Sequence, residues 1–494
     1  MSGPSLPPTA AALPGAGVIA AALVGALIVI GLLSALLVAR PNALPLAALA
    51  ALPFRLPISA QGRTVNLLIP LYLVVAAAVV SLLWRRAAGE RVHALAASVA
   101  GDGGPGAGLG LGRWRGWLSG RGLRVLLLGV IALYVLQAAY SDDRAKAAEN
   151  VAFFYVPFAL LFLMLCEVRF TRRLVLACLG VVAGLAVVFA GVGFVEYYRK
   201  TLFLNPKVVA ANQFDNYFRV NSVFFDPSIY GRFLALVIIA LAAAMLWSAR
   251  RRDVAVAAAL IAWLMAGLVT SFSQSSIAAL LLGLAVLAAY RWDVRATLYI
   301  AVALVAIAVV VLLAAPSSLH FGLNGSGGST NNATNGRASL ISGGLDLFAA
   351  RPLQGYGSGS FESEYRRHRQ TSAENATTAS HTIPITIAAE QGVIGLALYA
   401  ALLVVAFAVL FAGAGRSPPR IAVAACFAAL VLHTWTYADF LEDPITWTLL
   451  GIGVALARGA GALEDVTDGR AALTGAGLGP ALQGSAPGEP ASSV

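Results

Sequence analysis

Apolar blocks of about 20 residues recur along the chain, each long enough to cross a hydrocarbon layer as a helix. That pattern leaves little choice of fold, because in a bilayer only helices and closed barrels satisfy all of their backbone polar groups. Uninterrupted apolar blocks of that length read as transmembrane helices. Composition agrees. Of 494 residues 59% are hydrophobic and 12% charged, whereas an ordinary soluble domain is about 25% charged. The sequence therefore predicts an all-α polytopic membrane protein with about twelve transmembrane helices, and it excludes a soluble globular protein.

The predicted spans lie near 15–38, 67–84, 123–140, 151–166, 174–195, 231–247, 254–270 and 276–290, followed by 297–315, 384–411, 421–437 and 444–457. Residues 43–57 are apolar but broken by Pro45, Pro53 and Pro57, so they are expected to re-enter or lie at the interface without crossing. Cys166, Cys178 and Cys426 all fall within spans and read as small buried hydrophobes, with no disulfide framework or zinc spacing. Residues 1–458 form the predicted transmembrane domain. The Gly-, Ala-, Pro- and Ser-rich tail at 459–494 has little to bury and is expected to be disordered.

The net charge of +11 is ambiguous until its placement is considered. Arg85, Arg86, Arg91, Arg113, Arg115, Arg121 and Arg124 crowd one connection, which the positive-inside rule makes cytoplasmic. Every second connection should then be basic too. Arg169/Arg172/Arg173, Arg250/Arg251/Arg252, Arg291/Arg295 and Arg416/Arg420 meet that expectation. Both termini are predicted to lie in the cytoplasm, and the first span is expected to be retained, not cleaved as a signal peptide.

Two connections on the opposite side are long, 196–230 and 316–383. Loops of that size are usually functional or disordered. They carry Arg199, Lys200, Lys207, Arg219, Arg337, Arg351, Arg366, Arg367 and Arg369, with Arg232 at an edge. As a set these cations point to an anionic ligand at the outer leaflet. Nucleic acid fits poorly, since no stacking platform is interleaved with them. Residues 324–335 read as a flexible connector, and an amphipathic surface helix is predicted from Arg337. The glycine-rich run Gly355-Tyr-Gly357-Ser-Gly359 is either a tight corner or a cradle of amides for phosphate. His381 stands three residues before Pro384, which suits the first turn of the tenth span, so a positive helix end would face the interface there. Six residues beyond Pro384, Glu390 is the clearest carboxylate in a span, and such groups are either functional or hydrogen-bonded to a neighbouring helix. His433 is a weaker candidate near the outer end of the eleventh span.

These residues resemble the O-antigen ligase/polymerase family. The strongest likeness runs from Arg337 through Arg351-Pro-Leu-Gln-Gly-Tyr-Gly357 and His381 to Glu390-Gln-Gly392-Val-Ile-Gly395-Leu396. Arg219-Val-Asn-Ser-Val-Phe-Phe-Asp226-Pro227-Ser228 and Thr270-Ser-Phe-Ser273-Gln274 extend it. The resemblance implies a multi-pass enzyme of the bacterial cytoplasmic membrane, with its active site outward in the large loop 316–383, moving glycans in cell-surface polysaccharide or lipopolysaccharide assembly. Its donor would be a glycan on undecaprenyl diphosphate. Its acceptor would be a saccharide or a lipid-linked sugar, and the departures at Ser228, Gln274 and Thr382 leave open whether it is a ligase, a polymerase or a protein glycosyltransferase.

The chemistry follows from such a donor. A departing diphosphate needs positive charge and an incoming hydroxyl needs a base. Arg219, Arg337 and Arg351 are the expected diphosphate ligands, since guanidinium holds phosphate oxygens bidentately. His381 is the expected general base, and Glu390 is expected to orient the site. No Asp-x-Asp motif occurs in either outer loop, so the expected reaction is an inverting, metal-independent glycosyl transfer without a cofactor. A lipid-linked sugar transporter is the rival class. It would place its ionisable groups near the midplane in repeated halves, and no repeat is visible here.

Overall fold

The structure, a computed structural model, describes residues 16–60, 63–89, 118–203, 218–292, 295, 337–369 and 382–459. Its helices are α1 (Ala16–Ala39), α2 (Ala43–Ala51), α3 (Ile69–Ala87), α4 (Gly120–Ala138), α5 (Arg144–Cys166), α6 (Arg172–Arg199) and α7 (Pro227–Leu246). They are followed by α8 (Arg251–Thr270), α9 (Gln274–Arg291), α10 (Arg337–Ala350), α11 (Phe361–Arg369), α12 (Ile383–Phe411), α13 (Pro418–Thr436) and α14 (Pro444–Arg458). Among the described residues ten helices are long and apolar enough to cross a membrane, and α14 is a shorter apolar helix of 15 residues. The expected span at 297–315 and nearly all of the tail lie outside the described residues. The protein is thus a polytopic helical membrane protein.

Residues 43–57 do not cross. Pro45 sits in the first turn of α2 and Pro53 follows its end, so the helix has nine residues, about 13 Å. Its Leu46 and Leu49 pack against an apolar cluster formed by Phe170, Leu174, Cys178, Ala455 and Leu456, and Phe54 returns to meet the ring of Phe189 at 5.8 Å. A two-stranded antiparallel hairpin, β1 (Leu56–Ala60) with β2 (Arg63–Leu67), then leads into α3. This hairpin is the one departure from an all-helical chain among the described residues.

Short polar residues set several helix starts. Ser119, Thr171, Asp226, Ser273 and Asp443 each accept a backbone N–H of the first turn, and Pro follows immediately at Pro227 and Pro444. Small residues then let the helices approach closely. A Cβ added at Gly283 would strike Ile239, and one at Gly453 would strike Leu410. Among the most buried spans is α13, which packs against α7, α9, α12 and α14 and joins two apolar cores, one around α3–α5 and one around α6–α9. By contrast Leu23, Leu27 and Leu32 of α1 are 61–68% exposed, as expected of side chains that face lipid.

The helices alternate in direction, so the connections expected outside collect at one end of the bundle. Ser141 donates to the carbonyl of Ser358 at 2.8 Å, the Val220 amide donates to the carbonyl of Thr270 at 3.2 Å, and Asn150 donates to Glu442 at 2.9 Å. The basic connections share the other end, where Arg124 and Arg458 meet Glu167. Helix α10 packs Leu340 and Leu347 into a small cluster with Tyr356, Phe361, Tyr365 and Ala389, so it is docked on α11 and α12 and does not lie free on a surface.

Candidate functional site

At the polar end α12 is interrupted. Gly392 has φ +65°, and a Cβ there would strike the carbonyl of Leu353. Only glycine accepts both conditions at little cost. The glycine-rich turn nests in this break. The amides of Tyr356 and Gly357 donate to the carbonyls of Ala389 and Glu390 at 3.2 and 2.8 Å, and the Val393 amide donates to Pro352 at 2.7 Å. Glu390 completes the seam, its two oxygens accepting the amides of Gly359 and Phe361 at 2.9 and 3.0 Å. From the far side Tyr140 donates to the carbonyl of Gln354 at 2.8 Å. Four amides of the turn are therefore engaged by protein acceptors. Of the two readings that the glycines allowed, the structure is the tight corner and not a phosphate cradle.

The corner presents α11 and the end of α10. Arg351 is exposed, and its guanidinium lies 4.3 Å from the centre of the Tyr356 ring, whose hydroxyl is 3.1 Å from His368. Other cations of this loop are committed. Arg367 pairs with buried Glu364 at 2.6 Å, and Arg369 joins α11 to Asp346 of α10 at 2.7 Å. Burial pushes the Glu364 carboxyl up, and Asp142 adds to that shift while Arg367 opposes it.

A second buried carboxylate acts in the same way on the earlier outer loop. Glu196, fully buried at the end of α6, accepts the amides of Phe203 and Ser222 at 3.1 and 2.7 Å. Ser222 has φ +52° and donates through its hydroxyl to the carbonyl of Phe189 at 2.8 Å. This seam carries Arg219, whose Nε donates to the carbonyl of Ser271 at 3.2 Å in the α8–α9 connection. Beneath that connection Ser275 and Ser276 lie 3.3 and 3.2 Å from Nε2 of buried His433. Within α7, Arg232 is 1% exposed and meets Asp443 at 2.7 Å. Next to it Glu442 has its carboxyl pushed up to about 7, first by burial and then by Asp439.

Of the residues singled out in the sequence, Arg351 and Glu390 flank the glycine corner, Arg351 over the Tyr356 ring and Glu390 on the Gly359 and Phe361 amides, and Arg219 lies on the neighbouring loop at the same end. Arg337 opens α10. His381 lies outside the described residues, immediately before Thr382 and α12. Sequence reasoning passed over Glu196, Asp443, Glu442 and the serines around His433, and it set Arg232 at a loop edge. The signal for Arg232 was present in Asp226-Pro227, a cap followed by Pro, which starts α7 four residues earlier than the apolar run and puts Arg232 in its second turn.

Residues 257–400 match the family model for O-antigen ligase. That stretch runs from within α8 into α12 and holds the α8–α9 connection, Arg337, Arg351, the glycine corner, His381 and Glu390, while Arg219, Arg232 and His433 lie beyond it. No curated protein matches the chain significantly.

Proposed function

We propose, on the match of residues 257–400 to the O-antigen ligase family model, that the chain acts as a member of that family and transfers a glycan from undecaprenyl diphosphate to an acceptor hydroxyl at the outer face of the cytoplasmic membrane. The observation that carries the proposal is the convergence of the matched segment's polar motifs with the Arg219 loop at a single end of the bundle, opposite the basic connections. An outward arrangement of that end follows from the positive-inside rule.

In this mechanism the leaving diphosphate is held by Arg219, Arg337 and Arg351. A guanidinium keeps its charge at all working pH values and offers paired donors to phosphate oxygens. Charge that develops on the departing oxygen is stabilised without a metal ion. His381 takes the proton from the acceptor hydroxyl as that oxygen attacks the anomeric carbon, and direct displacement inverts the configuration there. Glu390 is a positioning residue, because both of its oxygens are used to hold the corner that follows Arg351.

The test is glycan transfer by purified His381→Ala and Arg337→Ala variants, with a polyprenyl-diphosphate-linked donor. Folded variants should lose transfer by two or more orders of magnitude, in the range usual for a missing acid–base or electrostatic group (~10²–10⁴). Full activity in either variant, or activity lost on chelation and restored by a divalent cation, overturns the mechanism.

A further inference from the structure

We infer that the end of the bundle opposite the site holds a binding pocket for an anionic two-chain phospholipid. A cavity of about 1190 Å³ lies between α2, α6, α7, α8, α13 and α14. Along α7 its lining runs from Phe233 to Trp247, about 21 Å at the helical rise. That exceeds the depth of one leaflet, roughly 15 Å as half of the hydrocarbon core, so an acyl chain fits lengthwise. The walls are mostly Ala, Val and Leu side chains with Phe, Ile and Cys among them, and the charged residues of the lining are Arg172, Arg252, Asp253 and Arg420 alone.

The mouth has the opposite character. Arg172 at the start of α6, Arg252 at the start of α8 and Arg420 in the first turn of α13 all line it, with Asp253 as the one carboxylate in the lining. Arg420 donates to the carbonyls of Ala412 and Gly413, which fixes its charge at the rim. Arg172 and Arg252 are exposed, and among the described residues neither has an ion-pair partner. An apolar channel capped by a net excess of two positive charges selects a ligand with an anionic head and apolar tails. Helix α6 starts at this mouth and ends beside Glu196, and α8 starts here and ends at Thr270, so the pocket opens toward the leaflet away from the site. A phospholipid of that leaflet is therefore its occupant, in preference to the glycan carrier whose diphosphate would sit at the far end.

Native mass spectrometry of the full chain released from detergent tests this with phosphatidylglycerol, phosphatidylcholine and a polyprenyl phosphate. Saturable binding with preference for phosphatidylglycerol over phosphatidylcholine is expected. The Arg172→Gln/Arg252→Gln variant changes only exposed side chains, and it should lose roughly tenfold or more of that preference, since each basic residue near an anionic headgroup contributes about fivefold. Ala240→Phe/Ala244→Phe should fill the channel and reduce binding of both phospholipids. Equal binding of the two, a preference unchanged in the arginine variant, or displacement of phosphatidylglycerol by equimolar polyprenyl phosphate overturns the proposal. So does the absence of saturable binding, the outcome if other parts of the chain fill the cavity. Glycan transfer by the same variants is measured separately, so failure of the lipid site and failure of the transferase reading remain distinct.

Discussion

Arg232 and Asp443 form an ion pair at 2.7 Å in which both side chains are at most 2% exposed. The pair ties the second turn of α7 to the first turn of α14, where Asp443 also caps the helix by accepting the Ile445 amide at 2.9 Å. Removing one partner leaves a buried charge uncompensated, which typically costs ~3–5 kcal/mol. Asp443→Ala should therefore lower the unfolding temperature of the detergent-solubilised protein sharply. The double variant Arg232→Met/Asp443→Asn removes both charges and should recover most of that loss. Equal losses in the single and double variants would show that the pair is not coupled.

A break held open by Gly392 makes a second expectation. Gly392→Ala forces a side chain into positive φ and against the carbonyl of Leu353, so it should destabilise by ~1–3 kcal/mol or more and displace the corner. Gly129 and Gly180 lie in α4 and α6 with open space around them. Alanine at either should be neutral or stabilising by up to ~1 kcal/mol, as expected for a helix interior. Thermal unfolding of the three variants side by side checks this; a Gly392→Ala variant as stable as the two controls contradicts it.

Much of the membrane plan was legible because hydropathy is a local property. The ten described spans coincide with predicted ones, and the prolines around α2 announced a segment that does not cross. The site was legible only in part, because its seams are non-local. Nothing near Glu390 in the sequence says that its acceptors are spent on amides about 30 residues earlier, at Gly359 and Phe361. Glu196 was missed for the same reason, and because α6 continues past its apolar run to Arg199. The glycines of 355–359 signalled a special backbone correctly, but their spacing could not tell a corner from a cradle; the acceptors that fill their amides decide it.

The carboxyl of Glu442, pushed up to about 7 by burial and by Asp439, predicts a pH dependence. Its folded value lies above the unfolded one, near 4.5, so the native state holds the proton more tightly. Stability from this group is present below the unfolded value and is lost as pH rises through about 7, by on the order of 3 kcal/mol. Glu442→Gln keeps an acceptor for Asn150 and removes the titration. Relative to the parent, the variant should gain stability between pH 5 and 8. Parallel stability curves across that window would contradict the assignment.

The role of Glu390 separates two mechanisms. As a positioning residue it holds the Gly359 and Phe361 amides with one oxygen each, and Gln can replace only one of those acceptors. Glu390→Gln should then lower kcat/KM by several-fold, and Glu390→Ala, which leaves two buried amides unsatisfied, by about 10²-fold, if each lost charge-assisted bond is worth ~1.5 kcal/mol. The pH profile of transfer should keep its shape in both variants, because the titrating base is elsewhere. A general base at this position predicts the reverse: Glu390→Gln would be as inactive as Glu390→Ala, and the acidic limb of the profile would disappear. Measuring kcat/KM against pH for the parent and both variants distinguishes a carboxylate that holds the corner from one that takes the acceptor's proton.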